Sequence, residues 1–352
     1  DLRELVQEAH KRGMKIVMDA VFNHTGREFF AFEDIMEKGE KSKYLDWYYI
    51  EKFPLESERG EIPNYKCFGY YGGMPKLNLK NPEVEKFFTD VACYWIKECD
   101  IDGWRMDVGD EISHYFWKNF RRAVKAVKKD MLIIGEIWHY AGDFLEGDEW
   151  DTVMNYPFYL NLIDLLADEK INVSQFIQNL GYLKGRLNKK CYPLMWNLID
   201  SHDTARFLHL CNDNKKKQHL AAAFQLLLPG MPMIYYGDEF AMPGANDPDC
   251  RRGMYWDEEY QDKEMFKWYK QLLKVRKNHA CIVEGEPIEI TARDEEETIV
   301  LTRKNGEETL ALIFNCSSSA RMFNEYAQKY DLLRESPFDG KIEGLDAVVI
   351  VL

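Results

Sequence analysis

The amino-acid sequence predicts an α/β fold in which a parallel sheet is followed by a small antiparallel β domain. Between residues 1 and 280, apolar strand-like runs alternate with polar loops and amphipathic helical segments, which is the pattern of a parallel sheet. Residues suited to acid–base chemistry follow the ends of several different strands, as in an α/β barrel. A doubly wound open sheet, the competing fold, usually concentrates its polar site at one switch point. The sequence therefore favours a barrel.

Six apolar runs are the predicted strands of this barrel. In chain order they cover residues 15–21, 101–108, 131–137, 151–155, 192–199 and 231–236. Helical spacing of apolar residues predicts helices over about 1–12, 81–96, 113–129, 158–190 with an interruption near Ile171, 217–228 and 263–278. Residues 25–78 are far too many for an ordinary connection, so they are predicted to form an inserted subdomain, which we call the inserted segment.

The last part of the chain, residues 281–352, is predicted to form a small antiparallel β domain of the sandwich type. Strand-like runs at 298–303 and 309–314 flank Asn305-Gly306, which is a strong hairpin turn signal. Residues 347–352 add another predicted strand. The predicted domains are therefore a barrel over 1–280, with the inserted segment inside it, and a β domain over 281–352.

Composition excludes several classes of partner. The net charge of −14 argues against nucleic acid or an anionic membrane as the main partner. No apolar run approaches the roughly 20 residues of a membrane helix. The 8 cysteines show no metal-ligand spacing, and we interpret them as reduced core thiols of a protein from a reducing, cytoplasmic compartment.

Four strand ends carry the residues that indicate chemistry. They are Asp19-Ala-Val-Phe-Asn-His24, Gly103-Trp-Arg-Met-Asp107, Gly135-Glu-Ile-Trp-His139 and Asp200-Ser-His-Asp203. Arg105 and Asp107 are two residues apart on a strand, so they project from the same face, and the guanidinium favours the ionised carboxylate. This pair alone is more often a structural salt bridge than a nucleophile with its partner. On a barrel, however, all four ends converge on one cleft, where retaining glycoside hydrolysis would use two carboxyls about 5 Å apart.

The four segments, in this order, resemble the signature regions of glycoside hydrolase family 13, the α-amylase family. Three further segments are similar to its neopullulanase, cyclomaltodextrinase and maltogenic amylase subfamily, namely Met74-Pro-Lys-Leu-Asn78, Tyr235-Tyr-Gly-Asp-Glu239 and Asp247-Pro-Asp-Cys-Arg-Arg252. The resemblance covers the whole chain. It implies a (β/α)8 TIM barrel that lacks its first two strands in this chain, that is, an N-terminally truncated member.

Such a truncated barrel would expose two sheet edges and an apolar interior. We therefore expect that the missing strands belong to a longer parent, or that another chain supplies them, in a homodimer or as a swapped copy.

The resemblance also implies the roles of the site residues. Asp107 would be the nucleophile that forms a covalent glycosyl-enzyme, and Arg105 would hold it ionised. Glu136 would protonate the leaving oxygen and then activate water. Asp203 would hydrogen-bond sugar hydroxyls and stabilise the cationic transition state. The remaining implied contacts are His24 and His202 with hydroxyls of one glucose unit, Trp138 stacked on a sugar beyond the cleavage point, and Asp247 and Arg251 with glucose units on the non-reducing side.

Three other features leave alternatives open. Asn23 is either a calcium ligand, as in many members, or a residue that satisfies loop backbone, and no cofactor is needed for the chemistry. Asp19 is expected to be a buried structural carboxylate paired with Arg105. Tyr70 and Tyr71 either line the cleft or pack in the core.

The resemblance implies a retaining α-glucan hydrolase that acts on α-1,4 bonds, with α-1,6 bonds as an open alternative. The implied substrates are cyclomaltodextrins, pullulan or maltooligosaccharides, and no nucleic acid or membrane partner is expected. Two other functions stay open: a transglycosylase or isomerase of the same family, and an inactive fragment that only binds glucan.

Overall fold

The computed structural model describes residues 1–56 and 63–352, and its contacts divide the chain into two compact units. The first unit comprises residues 1–137 and 141–153, and the second comprises residues 138–140 and 154–352. Residues 57–62 of the predicted inserted segment lie outside the described residues. The predicted domain boundary near residue 280 stays a prediction.

The first unit is built on a four-stranded parallel sheet with the strand order β1-β2-β3-β4. Its elements in chain order are α1 (Leu2–Lys11), β1 (Val17–Ala20), α2 (Phe30–Lys38), α3 (Pro82–Cys99), β2 (Gly103–Met106), α4 (His114–Val127), β3 (Leu132–Gly135) and β4 (Thr152–Val153). In the ladder between β1 and β2, Asp19 lies opposite Arg105. All four residues of β2 are buried, as expected for a strand with neighbours on both sides.

Aromatic packing joins the helices of this unit to its sheet. The ring of Phe22, which follows β1, packs against Phe88 of α3, Trp104 of β2 and Phe120 of α4, with ring centroids 5.3, 6.2 and 6.1 Å away. Helix α3 begins as predicted, because the side chain of Asn81 accepts a hydrogen bond from the second residue of the helix. The strand ends are thus held by a rigid aromatic layer.

The inserted segment folds back over the end of β1. Lys76 forms an antiparallel bridge with His24, and the N–H of Leu77 donates to the carbonyl oxygen of Asn23 over 3.0 Å. Of the two alternatives for Tyr70 and Tyr71, the exposure of these residues (79% and 64%) excludes packing in the core. Residues 68–74 form consecutive tight turns that leave both rings at the surface.

The second unit continues the alternation of strand and helix. Its elements before the β domain are α5 (Tyr156–Leu166), α6 (Val173–Arg186), β5 (Trp196–Asn197), α7 (Phe207–Leu210), α8 (Lys215–Leu227), β6 (Met231–Pro232), α9 (Lys263–Asn278) and α10 (Cys281–Glu284). Strands β5 and β6 pair in parallel, and an isolated parallel bridge joins Met154 to Trp196. Helix α8 is buried on all sides along much of its length, so it lies in the core of this unit.

The second unit ends in two antiparallel sheets, which confirms the predicted antiparallel β region. The strands are β7 (Glu286–Arg293), β8 (Thr298–Asn305), β9 (Glu308–Asn315), β10 (Arg321–Met322), β11 (Tyr330–Asp331), β12 (Ser336–Pro337), β13 (Lys341–Ile342) and β14 (Asp346–Val351). Six of them form a sheet in the order β12-β11-β14-β9-β8-β7, and β10 pairs with β13. Gly306 has a φ of +61° at the tip of the β8–β9 hairpin, as the turn signal predicted.

Two predictions from composition can be compared with the structure. None of the 8 cysteines forms a disulfide with another described residue, and Cys99, Cys211, Cys250 and Cys281 are buried, whereas the other half are only partly buried. Among residues 1–56 and 63–352, no helix combines the length and the apolar character needed to cross a bilayer.

We predict that Gly135→Ala destabilises the first unit, because an added methyl group would overlap the indole ring of Trp150. Trp150 is 1% exposed and stacks on Phe144 with ring centroids 4.1 Å apart, so it has little room to move. We expect a loss of roughly 1–3 kcal/mol in the free energy of unfolding, measured in urea.

The control is Gly181→Ala in α6, where an added methyl group meets open space among the described residues. This variant should gain up to about 1 kcal/mol, because alanine is the better helix former. If the urea concentration at the midpoint of unfolding were the same for Gly135→Ala and the wild type, the prediction would be contradicted.

Candidate active site

The guanidinium of Arg105 lies among three carboxylates at the ends of neighbouring strands. Its Nη1 atom is 2.9 Å from Oδ1 of Asp19 and 2.6 Å from Oδ1 of Asp107. Its Nη2 atom is 3.0 Å from Oε2 of Glu136. Burial alone would lower the pKa of Arg105, but the charges of the three carboxylates raise it above its ordinary value. Arg105 is therefore a permanent cation shared by three acids, which we call the Arg105 cluster.

Asp19 pairs with Arg105 as predicted, but it is not buried. Its side chain is 50% exposed, compared with 17% for Asp107 and 6% for Glu136. Strand β1 lies at the edge of the described sheet, so Asp19 has a neighbouring strand on one side only. The prediction that Asp19 is buried is therefore wrong, whereas its predicted pairing with Arg105 is present. The two acids shielded from solvent in the cluster are Asp107 and Glu136.

Glu136 is held by the backbone that follows Asp107. The N–H of Val108 donates to Oε2 of Glu136 over 2.9 Å, and the N–H of Gly109 donates to the carbonyl oxygen of Glu136 over 3.2 Å. Val108 has φ 46° and ψ 44°, a left-handed conformation that is rare for a β-branched residue. Backbone strain of this kind persists where surrounding contacts enforce it, commonly at functional sites. The contacts of Glu136 thus stabilise the strained turn beside Asp107.

His24 lies buried at the end of β1. Its ring stacks on Phe68 of the inserted segment, with centroids 5.2 Å apart and planes at 6°. Burial lowers the pKa of His24, and Lys76 lowers it further, although the charges of Asp107 and Glu111 oppose this shift. The imidazole is therefore neutral near pH 7 and can hydrogen-bond a hydroxyl group as donor or acceptor.

The second unit carries the other predicted acid, Asp203, in an ionic cluster of its own. Oδ1 of Asp203 is 3.2 Å from Nη2 of Arg251, and its Oδ2 atom is 3.1 Å from Nε2 of His202. Nε of Arg251 is 2.7 Å from Oδ1 of Asp247 and also donates to the carbonyl oxygen of His202. The structure thus brings together four predicted site residues of the second unit.

Trp138 forms an exposed aromatic platform in the second unit. It is 40% exposed and stacks on Tyr156, with ring centroids 3.9 Å apart and planes at 13°. The hydroxyl of Tyr156 hydrogen-bonds Oγ of Ser201 over 3.0 Å, and this oxygen accepts a hydrogen bond from the N–H of Asp203. Sequence reasoning missed Tyr156. Its position at the start of α5, directly after the predicted strand 151–155, is the signal that could have found it.

Comparison with known proteins assigns these residues to a family. The family model described as "Alpha amylase, catalytic domain" matches residues 1–264. The chain belongs to the alpha-amylase family. The matched range contains every residue predicted for the site, in both units.

Curated relatives in the alpha-amylase family are similar over most of this chain. A cyclomaltodextrinase from Geobacillus thermopakistaniensis is 44% identical over 319 residues, which are 91% of this chain and 54% of that protein. Neopullulanase 2 from Thermoactinomyces vulgaris is 47% identical over 284 residues, which are 80% of this chain and 48% of that protein. The chain spans about half the length of the curated relatives it matches.

Solved structures confirm the predicted fold class. A structure described as a cyclomaltodextrinase matches with a TM-score of 0.91 and 38% identity, covering 100% of this chain and 60% of that chain. Cyclic alpha-maltosyl-(1→6)-maltose hydrolase from Arthrobacter globiformis matches with a TM-score of 0.88 and 33% identity, covering 99% of this chain and 78% of that chain. The fold is the TIM-barrel fold of the alpha-amylase family with a C-terminal antiparallel sheet.

The resemblance to the alpha-amylase family leaves open whether Asn23 is a calcium ligand. The ammonium group of Lys76 donates to Oδ1 of Asn23 over 2.6 Å and to Oε2 of Glu111 over 2.6 Å. Among residues 1–56 and 63–352, no group of three or more His, Cys, Asp or Glu side chains could hold a metal ion. The residues around Asn23 do not fit a calcium ion.

Two carboxyls of the alpha-amylase family motifs, Asp200 and Asp238, are buried in the second unit at 1% exposure. Nη1 of Arg206 is 3.2 Å from Oδ1 of Asp238, and the N–H of Phe207 donates to Oδ2 of Asp200 over 2.7 Å. Burial raises the pKa of Asp200, and burial with the charge of Asp200 raises that of Asp238. One guanidinium cannot balance two buried carboxylates, so the pair holds a proton. Sequence reasoning gave these two residues no role.

We predict that Asp238→Asn changes the pH dependence of stability. Folded Asp238 keeps a proton that the unfolded chain releases near the ordinary pKa of about 3.8. Because the folded state then binds more protons than the unfolded state, wild-type stability falls as the pH rises from about 4 toward the folded pKa. Asparagine resembles the neutral acid. The midpoint temperature of the variant should therefore increase relative to that of the wild type as the pH rises from about 5 to about 8.

The measurement is thermal unfolding followed by circular dichroism across this pH range. Asp213→Asn, at an exposed position, is the control and should give a curve parallel to that of the wild type. A difference between Asp238→Asn and the wild type that does not change with pH would contradict the shared proton.

Proposed function

We propose that this chain carries the catalytic machinery of a retaining α-glucan hydrolase that cleaves α-1,4 and α-1,6 glucosidic bonds. The observation that carries the proposal is the geometry around Arg105, whose guanidinium contacts Asp107 at 2.6 Å and Glu136 at 3.0 Å. Retaining hydrolysis needs two carboxyls about 5 Å apart, one as nucleophile and one as acid. Two shielded carboxyls that contact one guanidinium support this assignment.

In the first step, a carboxylate oxygen of Asp107 attacks the anomeric carbon while the glycosidic bond breaks. The carboxyl group of Glu136 gives its proton to the leaving oxygen. In the second step, Glu136 takes a proton from water, the water oxygen attacks the anomeric carbon, and the bond to Asp107 breaks. Arg105 holds the carboxyl group of Asp107 in place at 2.6 Å, and neutral His24 hydrogen-bonds a sugar hydroxyl without adding charge.

The second unit supplies the proposed sugar contacts. Asp203 hydrogen-bonds hydroxyls of the distorted sugar and stabilises the cationic transition state, and its contacts with Arg251 and His202 hold its carboxyl group in place. His202 binds the same glucose unit. Asp247 and Arg251, paired at 2.7 Å, bind glucose units on the non-reducing side. Trp138 stacks on a sugar beyond the cleavage point.

The proposed substrates are cyclomaltodextrins, pullulan and maltooligosaccharides. The names of the relatives support this class, since they include cyclomaltodextrinases, a neopullulanase and a maltogenic alpha-amylase. We also propose a cytoplasmic location, because the described cysteines form no disulfide with one another and one relative is an intracellular maltogenic amylase of Bacillus subtilis, 41% identical. That a homodimer or a swapped copy supplies the missing strands stays a prediction.

Asp107→Asn should lower kcat for maltose release from β-cyclodextrin by at least about 10³-fold, because an amide is not a nucleophile. The matched control is Asp19→Asn, which removes a carboxylate from the same Nη1 atom of Arg105. This control should keep kcat within about tenfold, since Asp19 neither attacks the sugar nor transfers a proton in the proposed steps. An Asp107→Asn enzyme as active as the Asp19→Asn enzyme would rule out the proposed nucleophile.

Transfer of the glycosyl group to a second sugar is the other candidate function, and the Trp138 platform favours it. An exposed indole backed by Tyr156 at 3.9 Å offers a flat surface on which an acceptor sugar can stack. A sugar held there would compete with water for the covalent intermediate. The same machinery would then form new α-glucosidic bonds.

Trp138→Ala should lower the ratio of transfer to hydrolysis products at high maltotriose by roughly 2–10-fold, because the acceptor loses its stacking surface. Products are separated by chromatography. The control is Tyr156→Phe, which keeps a ring under Trp138 and removes only the hydroxyl that contacts Ser201. An unchanged ratio in Trp138→Ala would exclude this role of the platform.

A further inference from the structure

The ammonium group of Lys76 is surrounded by oxygen atoms from two loops of the first unit. It is 2.6 Å from Oδ1 of Asn23, 2.6 Å from Oε2 of Glu111 and 3.4 Å from the carbonyl oxygen of Glu111. Lysine has three N–H donors, so this arrangement uses its full donor capacity. An amide oxygen, a carboxylate and a carbonyl oxygen are also the ligand types that a hard divalent cation prefers. The ammonium group of Lys76 thus lies among oxygen atoms of the types that bind a divalent cation.

Charge and burial suit an ammonium group at this position. Asn23 is 1% exposed and the Lys76 side chain is 22% exposed, so the contact between them is shielded from solvent, whereas the Glu111 side chain is 43% exposed. The single charge of Lys76 balances the single charge of Glu111. Calcium takes six to eight oxygen ligands at about 2.3–2.6 Å, and it would repel the ammonium group at the centre of these oxygens.

The site is accessible to ions from solution. A cavity of about 310 Å³ is lined by Asn23, Lys76, Asp110 and Glu111, together with other residues of the first unit. The Glu111 side chain on this cavity is 43% exposed, so its carboxylate is open to ions from the solvent. The ammonium group of Lys76 would therefore exclude a metal ion from these oxygen atoms, because the surrounding protein does not close the cavity.

The position of Lys76 in the fold shows what this cation holds together. Lys76 belongs to the inserted segment, Asn23 follows β1, and Glu111 lies in the turn that follows β2 and Asp107. The same region is tied by the bridge between Lys76 and His24. We infer that Lys76 is a built-in replacement for a structural metal ion, and that its ammonium group anchors the inserted segment to the loops carrying His24 and Asp107. The enzyme then needs no calcium for its stability.

Thermal unfolding of the wild-type protein is the first test, and it does not depend on any activity. After dialysis against excess EDTA, and again after addition of calcium chloride, the midpoint temperature should stay within about 1 °C of its starting value. A midpoint that falls in EDTA and is restored by calcium would overturn the inference.

Three variants separate the charge of Lys76 from its packing. Lys76→Met keeps the apolar stem and removes the ammonium group, so its midpoint should fall by roughly 3–6 °C. Lys80→Met, at an exposed lysine that lines the same cavity, is the control and should unfold like the wild type. Equal midpoints for Lys76→Met and Lys80→Met would overturn the anchoring role.

Lys76→Asp puts a carboxylate beside Asn23 and Glu111 and removes the competing cation. Calcium should then raise the midpoint of this variant by several degrees and bind with a stoichiometry of one in calorimetry, although it has no effect on the wild type. If calcium stabilises Lys76→Asp no more than Lys76→Met, Lys76 does not stand at a cation site and the replacement is refuted.

Discussion

The first unit depends on the ionic contacts of the Arg105 guanidinium with Asp19, Asp107 and Glu136. Three carboxylates this close would repel one another without a cation between them. Because the Arg105 side chain is 10% exposed, its charge is poorly screened by solvent. Asp19 lies on β1, and Asp107 and Glu136 directly follow β2 and β3, so the cluster requires one strand register. A slip of one residue would turn Arg105 to the opposite face of the sheet.

The charge balance of this cluster suits the proposed chemistry. Three carboxyls surround one guanidinium, and protonation of Glu136 for acid catalysis would still leave a net negative charge. A sugar that becomes cationic in the transition state is stabilised by fixed negative charge that needs no reorganisation. The strained turn at Val108 has a part in this arrangement, because its N–H groups orient Glu136 at the point where the backbone leaves Asp107. The same few contacts therefore hold the strained turn, balance the charges and fix the strand register.

The element types were predictable because helix and strand periodicities are local. Each of the six predicted parallel strands is present, and α9 spans the predicted residues 263–278. The strand lengths were not predictable. The apolar run 192–199 contributes only β5, because residues 192–194 form a 3₁₀ turn before it. Apolar side chains report burial, whereas strand bounds depend on hydrogen bonds to a neighbouring strand that the run itself does not specify.

The same distinction explains which parts of the site the sequence could predict. Arg105 and Asp107 are two residues apart, so their common face follows from strand geometry alone. The half-exposure of Asp19 depends on its place on an edge strand, and the contact between Lys76 and Asn23 joins residues 53 positions apart. The motif that contains Lys76 indicates a family, but it does not indicate where the ammonium group lies. The sequence could not decide whether Asn23 binds calcium. It shows that Asn23 offers a ligand oxygen, but only the tertiary fold determines that the Lys76 ammonium group contacts this oxygen.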